Sequence, residues 1–311
     1  NYKFNYFVYI SSTIIHIMKI KILITLSLIL TMSCSKSPII DNSNIYEENL
    51  KNDYELFDSA NQLLEKKLYD DSVKELEKIE AIFPNSQYSA KAKIVRSYIY
   101  FIQGEYEKTK AIAENYIKYH PGSKDVIYAY YIEAMTNYVQ IKKPEYNQKY
   151  TIEAKNKFLF INNAYPSNKY EQDINLKLNI INNTISSQLL VIGKYYEKEK
   201  NYIAALTYYL DVYKNFEKTQ KIEEALYSIT KIYIKINEEE NATKYASILG
   251  HNYPDSKWYK KTYQMIKKIK PEIVDNKKWF EKLNPVRLII RDQINEEIEW
   301  FKPIKPKFKI N

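Results

Sequence analysis

Residues 88–123, YSAKAKIVRSYIYFIQGEYEKTKAIAENYIKYHPGS, decide the fold. The spacing predicts two amphipathic helices, about Tyr88–Gln103 and Tyr106–Tyr119. Gly104 and Glu105 make the turn between them, because glycine reaches positive φ without a steric penalty. His120-Pro121-Gly122 ends the second helix, since proline cannot continue it. Ser97 sits in the middle of the first helix and Thr109 early in the second, where a helical hairpin needs small side chains. Tyr100 and Tyr116 fill the space on either side.

The unit recurs. Small residues open each second helix at Ser72, Thr109, Ala154, Ala205 and Ala242. Four positions on stand Leu76, Ala113, Phe158, Tyr209 and Ala246, and three further on Ile79, Tyr116, Ile161, Val212 and Leu249. Twelve positions after the marker come Pro84, Pro121, Pro166 and Pro254, with Glu217 in the fourth unit. The small residue of each first helix falls at Ala60, Ser97, Ala134, Gly193 and Thr230. This is the pattern of a tetratricopeptide-type (TPR) repeat, although the marker spacings of 37, 45, 51 and 37 exceed the usual ~34 residues. The expected fold is all-α: a TPR-like superhelical solenoid of about five helical hairpins plus a capping helix near 256–268. The fourth unit opens with a long helix, about Lys169–Lys200, which has no proline and can link two halves of the array.

The 32 tyrosines are a large load, and abundant Asn, Lys and Ile beside them point to mutational bias toward AT-rich codons. The net charge of +9 is uneven: Lys257 to Asn311 holds 15 Lys/Arg against 7 Asp/Glu. Residues 1–50 add four lysines and three acids, so the repeat body is neutral. A neutral body speaks against nucleic-acid binding, which wants a basic stripe along the repeats. The basic end, 269–311, forms a separate extension that suits a membrane surface or an acidic partner; 287–301 can form one more amphipathic helix.

Residues 1–17 read as a mis-called upstream segment. From Met18 the chain runs MKIKILITLSLILTMSC, with Lys19 and Lys21 before a short apolar core, Ile22–Leu30. That is a secretory signal, 18–33, too short to span a bilayer. It ends at Cys34, the only cysteine, which cannot form an internal disulfide. The segment resembles the lipobox of bacterial lipoproteins, in which the cysteine is acylated, although Thr31 stands where Leu is usual. Ser35 favours outer-membrane sorting, and 34–52 is a polar tether.

No catalytic constellation is readable. His120 and His251 stand at helix ends, where a cation is favoured, and no H-E-x-x-H, Cys/His cluster, G-x-S-x-G or glycine-rich phosphate loop occurs. The expectation is a non-enzyme without metal or cofactor. What remains is surface: by repeat spacing Tyr54, Phe57 and Asn61 in the first unit, and Ile94, Tyr98 and Phe101 in the second, line a peptide groove on the first helices. The same positions also serve packing between neighbouring repeats.

The signal, the lipobox-like cysteine and the five units together resemble the BamD (ComL) family of outer-membrane assembly lipoproteins. The stretches that carry the resemblance are FPNSQYS at 83–89, AIAENYIKYHP, IYAYYIEAMTNY, AYPSNKYEQD at 164–173, GKYYEKEKNYIAAL at 193–206 and NYPDSKW at 252–258. Ile127, Ala134 and Leu189 depart from the family's acidic, Gly and Glu residues, and KKPEYNQK lacks a clear Arg-Asp-Pro-type segment. The resemblance implies a non-enzymatic subunit of the machine that inserts β-barrel proteins, lipid-anchored on the periplasmic face of the outer membrane. It implies two partners: the periplasmic domain of a BamA-like barrel protein on the C-terminal repeats, and aromatic-ended C-termini of unfolded barrel proteins on the N-terminal repeats. The alternative is another periplasmic TPR scaffold lipoprotein, serving cell division or peptidoglycan coordination.

Overall fold

A computed structural model describes residues 51–271. Cys34, the signal segment and the basic stretch 272–311 lie outside the described residues. All secondary structure within them is helical: α1 (Asp53–Glu65), α2 (Tyr69–Ile82), α3 (Gln87–Ile102), α4 (Tyr106–Tyr119), α5 (Val126–Tyr138), α6 (Lys149–Ala164), α7 (Glu171–Lys198), α8 (Tyr202–Asn215), α9 (Ile222–Lys235), α10 (Glu239–Asn252) and α11 (Lys257–Ile269). Helices pair as hairpins α1–α2, α3–α4, α5–α6, α7–α8 and α9–α10, and each hairpin packs on the next. α11 lies against both α9 and α10, which closes the stack. This is the TPR-like solenoid that the repeat spacing predicts.

The hairpins form where small residues let backbones approach. Ala60, Ser97, Ala134 and Thr230 of the first helices are fully buried, as are Ser72, Thr109, Ala154, Ala205 and Ala242 of the second. Ser72 Oγ donates to the Ala60 carbonyl at 2.7 Å, and Ser97 Oγ to that of Thr109 at 3.3 Å, each joining the two small positions of one hairpin. In the fourth hairpin glycine is required: a Cβ on Gly193 would stand 2.4 Å from Tyr209 Cε1.

The turns between hairpins share one sequence pattern. Each second helix ends on a ring residue, Phe83, His120, Tyr165, Phe216 or Tyr253, with φ between −123° and −140° and ψ between 33° and 70°. Three residues on stands Ser86, Ser123, Asn168, Thr219 or Ser256. Four of these accept a hydrogen bond through the side chain from the N–H two residues ahead: Tyr88, Asp125, Tyr170 and Trp258; Ser86 and Ser256 are thereby the N-caps of α3 and α11. Thr219 instead donates to the Phe216 carbonyl, in the one turn where Glu217 replaces proline. Within the first, second, fourth and fifth hairpins the tight turn takes a left-handed residue, supplied by Lys67, Gly104, Lys200 and Asn237 at φ 61°, 80°, 61° and 63°.

α7 departs from the repeat. Its first half, through Ile174, Leu178 and Ile181, joins the core of the second and third hairpins. Its second half, through Leu190, joins the core of α8 and α9. One continuous 28-residue helix therefore belongs to two successive hydrophobic clusters.

Candidate docking face

In a hairpin stack the first helices present side chains at regular offsets from their small residue. Counting back six from Ala60 and Ser97 gives Tyr54 and Lys91; counting back three gives Phe57 and Ile94; counting on one gives Asn61 and Tyr98. The six residues expected to line a groove separate sharply by exposure. Tyr54 is exposed (43%) and Asn61 is half-buried, with its amide Nδ2 buried and lacking a hydrogen-bond partner. Phe57 is 2% exposed, in the core that α1 and α2 share with α3. Ile94, Tyr98 and Phe101 are likewise buried, in the cluster that holds Tyr128, Ala129 and Ile132 of α5. The physical reason is close approach: α1 contacts α3 and α3 contacts α5 directly, so the residues between them become interfacial. These four positions serve packing and offer little surface to a ligand.

What stays accessible is a ledge at the first two hairpins. Tyr54 meets the Tyr88 ring edge-on at 5.8 Å between centroids, and Tyr88 leans on Phe57 at 5.3 Å. Lys91 Nζ stands 5.2 Å from the Tyr88 ring centroid, held by attraction between ammonium and π face. Tyr88 and Lys91 were absent from the sequence-derived groove. The signal for Lys91 was available, since it occupies the Tyr54 position of the second hairpin, 37 residues on. The ledge offers an aromatic surface and a cation.

Beyond the second hairpin the same face is closed. Tyr131 and Tyr138 of α5 hold the offsets that Phe57 and Leu64 hold in α1. Both are covered by the first half of α7. Tyr131 Oη donates to Asp173 Oδ2 at 2.6 Å, and Lys177 Nζ reaches Asp173 Oδ1 at 2.5 Å and lies 5.4 Å from the Tyr138 ring centroid. Tyr131 also stacks on Tyr170 at 4.5 Å. Burial, with the Asp173 carboxylate and their hydrogen bond behind it, holds the Tyr131 phenol neutral far above its ordinary range. Burial, then Asp173, pushes Tyr138 up to about 12. These groups are structural polar contacts, not acids or bases poised near neutrality. Nearby, Lys157 pairs with the buried Glu133 across α6 and α5.

In the C-terminal half, Glu197 of α7 is the polar hub. It accepts from Tyr209 Oη at 3.2 Å and pairs with Lys231 at 2.8 Å and Lys235 at 3.5 Å, tying α7 to α8 and α9. Among the described residues no group of three or more His, Cys, Asp or Glu side chains could hold a metal ion, and no helix is long and apolar enough to cross a membrane.

Residues 50–249 match the family YfiO, described as outer membrane lipoprotein, from before the first helix into α10. The chain belongs to the YfiO family. A YfiO-type relative, the outer membrane protein assembly factor BamD of Rickettsia prowazekii, is 32% identical over 212 residues, 68% of this chain and 84% of that protein. BamD of Caulobacter vibrioides is 24% identical over 211 residues, 68% and 69% of the two chains. Among solved structures, the TPR domain of P58(IPK) aligns with 75% of this chain and 63% of its own, at 14% identity and a TM-score of 0.36. The YfiO match covers the docking ledge, α7 and the Glu197 hub, and stops short of α11.

Proposed function

We propose that this protein is a non-catalytic docking subunit in the assembly of outer-membrane β-barrel proteins, held by lipid at Cys34 on the periplasmic face of the membrane. The observation that carries the reading is kinship with BamD assembly factors over four of the five hairpins and most of the fifth. The ledge of Tyr54, Tyr88 and Lys91 supports the substrate half of it. An unfolded barrel protein that ends in an aromatic residue would lay that ring against Tyr54 and Tyr88 and its terminal carboxylate near Lys91. The C-terminal hairpins would hold the periplasmic domain of a BamA-like barrel protein.

Co-purification from membranes tests the assembly role. Recovery of a BamA-like barrel protein is the expected result; recovery of a peptidoglycan synthase or a Tol component in its place would move the protein to an envelope scaffold. Peptide titration tests the ledge. A peptide ending in Phe with a free carboxylate should bind, and Tyr54→Ala or Lys91→Ala should weaken it by about fivefold or more. Amidating the peptide's terminus should remove the effect of Lys91→Ala. Cys34→Ala should release the protein from membranes washed at high salt, which screens any electrostatic contact.

A further inference from the structure

α11, KWYKKTYQMIKKI, has two unlike faces. Tyr259, Thr262 and Ile266 are buried on the side that meets α9 and α10. The exposed side is Lys257, Lys260, Lys261, Gln264, Lys267 and Lys268. At 3.6 residues per turn these six fall within an arc of about 120° along roughly 16 Å of helix. No Asp or Glu occurs in the helix. Lys270, just past its end, reaches Glu239 at 3.9 Å, but the five lysines of the stripe form no ion pair among the described residues. Lys257 and Lys261 instead lie over the Trp258 ring, at 5.3 and 4.7 Å from its centroid. Trp258 in turn packs on Tyr227 at 5.0 Å, so the stripe is braced from below by fixed rings.

We propose that this stripe docks on an anionic phospholipid surface. A run of exposed ammonium groups on one straight helix is complementary to a broad, flat field of negative charge. It lacks the buried aromatic and apolar anchors at the centre of a patch with which a folded partner would be recognised. Membership of an outer membrane lipoprotein family supplies the setting, because such a chain works beside a bilayer. The inference does not rest on the assembly role or on the ledge, and α11 lies beyond the matched family region. Near an anionic bilayer each lysine contributes roughly fivefold to partitioning, and the effect is screened by salt.

The test is vesicle flotation of the chain from residue 35 on, which keeps every described helix and omits both the apolar Ile22–Leu30 segment and Cys34. Vesicles of phosphatidylethanolamine with phosphatidylglycerol are compared with vesicles of phosphatidylcholine alone. Flotation with the anionic vesicles only, abolished by high salt, is expected. Lys260→Glu with Lys267→Glu should lower the partition coefficient by at least about tenfold, with the helical circular dichroism unchanged. Lys260→Gln with Lys267→Gln, which tolerates any neighbouring charge, should lower it by a smaller factor. Reversing Lys305 and Lys307 instead controls for the basic stretch beyond the described residues. Equal flotation with both vesicle types, no loss in either α11 variant, or a larger loss from the Lys305/Lys307 variant would each overturn the proposal. So would capture of poly-glutamate through the α11 lysines without vesicle binding, which would assign the stripe to an acidic protein.

Discussion

Gly193→Ala isolates the contact on which the fourth hairpin depends. The added Cβ would lie 2.4, 2.8 and 3.0 Å from Tyr209 Cε1, Cδ1 and Cζ, where carbon atoms rest at about 3.5–4.0 Å. The ring would have to retreat by more than about 1 Å. It has nowhere to go: Tyr209 is fully buried, and its hydroxyl is fixed to Glu197 at 3.2 Å. Overpacking of this kind costs about 1–3 kcal/mol, and a large buried ring displaced this far belongs at the upper end. Against that, alanine improves helix propensity over glycine by about 1 kcal/mol. The net expectation is a loss of about 2 kcal/mol, read as a lower urea midpoint by circular dichroism. Gly122→Ala is the internal control, because a Cβ there meets nothing within 4 Å; it should stay within about 0.5 kcal/mol of the parent. Tyr209→Leu should largely remove the penalty of Gly193→Ala in a double-mutant cycle. A Gly193→Ala protein as stable as the parent would refute the close-contact account of the hairpin.

Asp173→Ala should destabilise by about 3 kcal/mol, because it leaves the buried Lys177 ammonium without its carboxylate and Tyr131 without its acceptor; chemical denaturation measures it. Lys200→Gly should raise stability by about 0.5 kcal/mol, since a lysine at φ 61° occupies left-handed backbone that glycine adopts freely; the urea midpoint reports the sign. Alkaline pH should unfold the array. Buried tyrosines keep their protons above the ordinary value near 10: burial pushes Tyr138 up to about 12 and raises Tyr128 and Tyr131 well above the ordinary value. The unfolded chain therefore loses these protons first, and stability that is complete below pH about 10 declines as pH rises through the folded-state values. A denaturation midpoint independent of pH across that window would contradict the burial of these phenols.

The hairpins were legible because small residues at fixed spacing are a direct record of helix–helix approach. Ser72, Thr109, Ala154, Ala205 and Ala242 are all buried, and so are Leu76, Phe158 and Tyr209 four positions on. The groove was less legible. Phe57, Ile94, Tyr98 and Phe101 occupy offsets that are open in an isolated hairpin and closed once the next one packs. Local sequence marks the offset but not the neighbour that covers it. The aromatic-x-x-Ser turn, as in Phe83 to Ser86 and Tyr253 to Ser256, lies in the same segments as the proline that marks the helix end. Lys91 stands in register with Tyr54 but carries a cation where Tyr54 carries a ring.

The length of α7 was legible too, as a run without proline; where its first half would lie was not. That placement limits the proposed docking. A face open along all the first helices would need Tyr131 and Tyr138 accessible, yet Asp173 and Lys177 of α7 sit on them. An extended ligand on the ledge is therefore confined to α1, α3 and the near edge of α5. Adjacent packed helices lie about 8–10 Å apart, so the available span is about 20 Å, or roughly six residues of extended chain. A short terminal segment fits that span, and a long unfolded chain does not. Recognition at this ledge would then read the end of a substrate and leave its body free.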